Sequence, residues 1–109
     1  MRGMSLIDRP HPVWWISIIA GMTTLGVLAF DPAALAWWTS HLFWLPPAAV
    51  LIAVFVGAVA LHVGEAAYAF RLASGVAPAA AVGWTLQTLT LGYPSLRLLK
   101  LRAAKAGGA

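Results

Sequence analysis

Between Val13 and Phe30 the chain runs through eighteen residues without a charge, and Asp31-Pro32 then ends the run. Coiled as a helix at about 1.5 Å per residue, it would reach about 27 Å, close to a hydrocarbon core of roughly 30 Å. Trp14 and Trp15 stand at its start, where aromatic belts form. A second run, Ala48 to Phe70, is tipped by Arg71, whose stem can follow apolar surface while its charge reaches water. Ser74-Gly75 reads as the turn after it, and Pro78 suits the first turn of a following helix. A third run, Pro78 to Leu96, carries Trp84, Gln87, Thr88 and Thr90, then Gly92-Tyr93-Pro94, which should kink or break it. Between the first two runs lies Ala33 to Leu45, closed by Pro46-Pro47 and rich in aromatics: Trp37, Trp38, Phe43 and Trp44. At about 20 Å of helix it is too short to span, so it predicts an interfacial or re-entrant helix, with His41 as an interfacial polar group.

The pattern therefore predicts a single all-α domain, an integral membrane helical bundle. Its three spanning helices are 13–30, 48–71 and 78–96, with a short interfacial or re-entrant helix at 33–45. Residues 1–12 form a polar lead and 97–109 a basic tail, with Ser95 to Lys105 suited to an anionic membrane surface. Four spans would gather six basic residues on one face, closer to the positive-inside rule. The fourth span would have to be the thirteen-residue segment, and length is the harder constraint. A cleaved signal peptide is the competing reading of the first run, with Ala34-Leu35-Ala36 resembling a cleavage site, but the run exceeds the usual h-region.

Composition agrees: 61% of residues are apolar and 9% charged, too little polar surface to wrap a water-soluble globule of 109 residues. The formal charge of +4 does not point to nucleic acid. Arg2, Arg9, Arg71, Arg97, Lys100, Arg102 and Lys105 flank the apolar runs, where they suit lipid headgroups. The absence of cysteine excludes disulfides, thiol nucleophiles and Cys-ligated zinc. Richness in Ala, Gly and Leu fits a bacterium, and hence its inner membrane.

Within the second run, His62 and Glu65 are ionisable, and Glu65 is the single Asp, Glu, Lys or Arg from Pro32 to Phe70. Such groups at membrane depth are costly and mark function or a specific polar partner. A hairpin turning at Ser74-Gly75 would pair His62 in depth with Gln87, and Glu65 with Trp84, with Tyr68 and Thr88 adjacent. The plain reading is a polar clasp between helices. The sharper reading is a pocket for a hydroxyl or carbonyl of a lipid-like molecule, or acid–base chemistry on it. His-x-x-Glu supplies only two metal ligands, so no metal or cofactor is expected. On the same helix, Ala49, Ala53, Gly57, Ala60 and Gly64 form a small-residue row suited to close helix packing. So small a bundle is expected to associate with itself or with a larger membrane protein.

His62-Val63-Gly64-Glu65 with Tyr68-Ala69, then Trp84-x-Leu86-Gln87-Thr88 and Gly92-x-x-Ser95-Leu96, resembles the transmembrane protein 254 family. The likeness spans about Leu61 to Leu96. It implies a short membrane domain of unknown function with His62, Gly64, Glu65, Tyr68, Trp84, Gln87 and Gly92 as signature residues. Similar domains occur fused to steroid-dehydrogenase-like enzymes, which implies a lipid or sterol context over ion transport. The expected role is an accessory, scaffold or lipid-binding module. The alternative is an intramembrane enzyme on a sterol-like or isoprenoid lipid, with Glu65 as acid/base and His62 as its partner.

Overall fold

The computed structural model describes residues 7–108; Arg2 and the rest of the first six residues lie outside them, as does Ala109. Five α-helices follow in order: α1 (Pro12–Phe30), α2 (Pro32–His41), α3 (Ala48–Val76), α4 (Ala81–Leu91) and α5 (Tyr93–Gly108). A 3-10 turn, Pro78–Ala80, joins α3 to α4, and no strand occurs among the described residues.

Local chemistry explains the boundaries. The His11 ring accepts the Val13 N–H at 3.1 Å and caps α1, with Pro12 at the first helical position, where its missing N–H costs nothing. Asp31 serves two helices. Its backbone N–H closes α1 on the Val27 carbonyl at 2.8 Å, while its carboxylate accepts the Ala33 and Ala34 N–H groups and starts α2. Helix α2 ends at His41, short of the expected Leu45, and Leu42–Pro47 lead into α3 without regular structure.

α3 is the axis of the molecule, with α1, α4 and α5 all packed on it. Its inward positions Leu51, Phe55, Ala58, His62, Ala66, Ala69 and Ala73 step by three or four residues, the period of one helix face. The first half of that face meets α1, on which α2 also packs. There Leu28, Ala29 and Leu51 form one core, and the Phe55 ring lies against Gly26 and edge-on to Phe30. The second half meets α4 and α5 in a separate core of Ala69, Ala73, Ala77, Ala81, Trp84, Leu96 and Leu99. Alanines on α3 let the neighbouring backbones come close, and Trp84 fills the layer.

α3 does not turn at Ser74-Gly75: the Ser74 hydroxyl returns to the Phe70 carbonyl and the helix runs on to Val76. The expected third span, 78–96, is not one helix. α4 holds eleven residues and ends at Gly92, whose φ of +73° no helical residue adopts. Among the described residues only α1 and α3 are long and apolar enough to cross a membrane, two helices where three were expected. In their most apolar windows just 11% and 6% of residues are buried within the chain, so neither is the enclosed core helix of a soluble globule.

Candidate functional site

The polar residues gather where α4 breaks. In a continuous helix the Leu89 carbonyl would accept from residue 93, but the break at Gly92 leaves it orphaned. The His62 ring reaches across from α3 and donates its Nδ1–H to that carbonyl at 2.8 Å. Because a carbonyl can only accept, the proton of this bond lies on Nδ1, and Nε2 is turned to the elbow. Glu65, one turn along α3, is half-buried beside the same elbow and makes no hydrogen bond or ion pair among the described residues. A Cβ placed on Gly92 would lie 3.0 Å from both His62 Nε2 and Glu65 Oε1, so the two groups converge on one spot.

A second polar group closes the elbow from the α5 side. The Gln87 amide donates to the Ser95 hydroxyl at 3.0 Å and to the Asp8 carbonyl at 2.8 Å, while the Thr88 and Ser95 hydroxyls bond at 2.9 Å. Gly92 N–H returns to the Thr88 carbonyl, and the Gly92 carbonyl receives the Ser95 and Leu96 N–H groups. Thr88 and Ser95 are fully buried, so each polar atom here needs the partner it has.

The residues singled out from the sequence thus fall into separate places. His62 and Glu65 come together at Gly92. Gln87 and Thr88 turn toward Ser95, and Trp84 is wholly buried against Ala69 and Ala73. Tyr68 is exposed. The depth register differs from the expected one by two residues, His62 meeting Leu89 rather than Gln87, because α3 extends past the assumed turn. Ala53, Gly57, Ala60 and Gly64 lie on the opposite, outward face of α3, and a side chain at Gly57 or Gly64 would meet nothing within 4 Å. Ser95, already part of the quoted motif, belongs to the network without having been singled out. The Leu89 and Asp8 carbonyls could not be, since a backbone partner carries no residue signature.

Next to His62, a groove of about 340 Å³ opens between α1 and the α3–α4 pair. Ile18, Met22, Val59 and Leu89 give it apolar walls, and Thr90 adds a hydroxyl whose proton is committed to the Leu86 carbonyl. No group of three or more His, Asp or Glu side chains suited to a metal ion occurs among the described residues.

Two helices long and apolar enough to cross a membrane, with exposed apolar exteriors, and a partly buried polar elbow between helices are the features of a small α-helical membrane protein. The family model described as Transmembrane protein 254 matches residues 13–102, most of the chain, and the protein belongs to that family. The match extends well beyond the Leu61–Leu96 signature and takes in α1. No curated protein and no solved structure matches the chain.

Proposed function

We propose that this protein is a non-catalytic membrane module, an accessory or scaffold subunit with a small lipid-binding groove, in which a broken helical hairpin is docked against a two-span anchor. The observation that carries this reading is His62. Its Nδ1–H satisfies a carbonyl that the Gly92 break would otherwise strand, so the histidine acts first as a clasp. Gln87, Thr88 and Ser95 do the same for the other side of the elbow.

The orientation follows from charge. Arg9, Arg71, Arg97, Lys100, Arg102 and Lys105 belong to one end of the molecule, with the N-terminal lead, the last turns of α3 and α5. The other end, α2 and Leu42–Pro47, carries Asp31 alone. By the positive-inside rule the basic end is cytoplasmic, and α1 and α3 both cross the inner membrane of a bacterium. The tryptophans of α2 then lie in the outer interface, and the Gly92 elbow dips from the cytoplasmic side to the level of the first turns of α1.

Membrane lipids and either a second copy or a larger membrane protein are the partners in this reading. The open Ala53, Gly57, Ala60 and Gly64 face supports it, since α3 already uses its other face within the chain. Leucine at both Gly57 and Gly64 should leave helicity and melting unchanged while abolishing chemical crosslinking between copies or co-purification of the partner. Unchanged association in that variant would remove this face from the proposal.

One observation favours a second reading. His62 Nε2 and Glu65 Oε1 face one spot, where the Glu65 carboxyl would act as acid/base with the carbonyl-anchored imidazole as its partner. An intramembrane enzyme on a sterol-like or isoprenoid lipid requires that Glu65→Gln keep the fold and lose turnover.

A further inference from the structure

The N-terminal lead and the start of α5 enclose a cleft of about 470 Å³ that the polar elbow does not use. Arg9 comes to it from the lead and Arg97 from the second turn of α5, 88 positions apart in the chain. Neither guanidinium has a hydrogen bond or an acidic partner among the described residues. The nearest acid in sequence, Asp8, is turned toward Arg102, with its carboxylate 3.7 Å from that guanidinium. His11 also lines the cleft. Its Nδ1 accepts the Val13 N–H, which leaves the ring proton on Nε2 as a further donor. Among the described residues no acidic side chain lines this space. Trp14 and Tyr93 supply the aromatic walls, and Leu98 an apolar one.

Like charges are not brought together in an open cleft to stabilise a fold; the arrangement repels itself until an anion enters. Guanidinium forks match the oxygens of a phosphate group, and two of them can grip it from both sides. The N-terminal ends of α1 and α5 flank the same space, and their dipoles add a favourable field for negative charge. The cleft also sits at the start of α1, where tryptophan and tyrosine mark the headgroup level of a membrane. A carboxylate ligand would satisfy the charge, but an acyl-bearing phosphate satisfies the charge, the depth and the apolar wall together.

We propose that this cleft binds the phosphate group of an anionic phospholipid, held by Arg9 and Arg97 with His11 as a third donor. The proposal rests on the reading above only in placing the start of α1 at the membrane interface. Occupancy would pin the N-terminal lead to α5 and so hold the elbow closed from the water side.

Native mass spectrometry of the full chain, with phosphatidylglycerol or phosphatidylcholine added in detergent, tests it. The wild type should retain phosphatidylglycerol preferentially. Arg9→Gln with Arg97→Gln should weaken that binding at least about tenfold, as expected from losing two charge-assisted contacts. Lys100→Gln with Lys105→Gln removes the same charge from α5 outside the cleft and should change it less than about twofold. All four positions are exposed, so helicity by circular dichroism should not move in either double variant. Equal losses in the two variants would mean diffuse attraction and overturn the site, as would binding of both lipids alike. Displacement of the lipid by millimolar inorganic phosphate would assign the cleft to the free anion and overturn the lipid assignment; retention supports it. Labelling of Ser17→Cys by a membrane-impermeant maleimide in membranes would refute the interfacial placement itself, separately from phosphate binding.

Discussion

Gly92 carries a conformation and a space that no other residue supplies. Its φ of +73° lies where L side chains are strained, and its missing Cβ leaves room for His62 Nε2 and Glu65 Oε1. Gly92→Ala should therefore destabilise the protein by about 1–3 kcal/mol in detergent unfolding. Gly64→Ala, on an open helical face, should be neutral or slightly stabilising. Equal effects of the two would deny Gly92 its role. At this scale the sequence was informative about which residues matter. His62 and Glu65 stand out because an ionisable group in an apolar run demands a partner, and that demand is a property of composition. Which partner they meet was not legible. Leu89 is an ordinary leucine, and only the helix break makes its carbonyl the acceptor.

At the scale of elements, polar side chains do the work that water does elsewhere. α1 and α2 are punctuated by His11, Pro12, Asp31 and Pro32, of which Asp31-Pro32 was legible in the sequence as the end of the first run. The α4–α5 elbow is less local. Gln87 ties α4 to α5 through Ser95 and also holds the N-terminal lead through the Asp8 carbonyl. Gln87→Leu removes both bonds, each worth about 0.5–1.5 kcal/mol. Deuterium uptake in segment 7–11 should accelerate about tenfold, whereas Thr90→Ala, whose hydroxyl bonds only within α4, should leave it unchanged. Comparable uptake in the two variants would show that the lead is held by something else. The expected break at Gly92-Tyr93-Pro94 was readable from glycine and proline. That the break leaves an eleven-residue helix, and not a kinked span, required knowing that α5 folds back onto α3.

At the scale of the molecule, an axis 55 Å long carries Arg9, Arg71, Arg97, Lys100, Arg102 and Lys105 at one end and α2, with Trp37 and Trp38, at the other. The absence of native cysteine makes sidedness directly measurable. With two spans, Ser40→Cys and Ala106→Cys lie on opposite faces; with three, they lie on the same face. An impermeant maleimide applied to spheroplasts should label Ser40→Cys at once and Ala106→Cys only after permeabilisation. Simultaneous labelling of both would restore the third span. This arrangement also resolves a conflict within the sequence itself. Three spans divide the basic residues almost evenly, whereas a hairpin that enters and leaves by the same face puts Arg71 and the α5 cluster together with Arg9.

The chain's own order of residues determined the helical class, the two long apolar runs, the caps between them and the charged flanks. Each of these depends on neighbours a turn or less apart. Tertiary structure alone decided that the last apolar run folds back, that a histidine closes a stranded carbonyl, and that Arg9 and Arg97 face one cleft. Those outcomes depend on which backbone groups a helix break leaves unsatisfied and on which distant segment is close enough to meet them, and linear spacing carries neither.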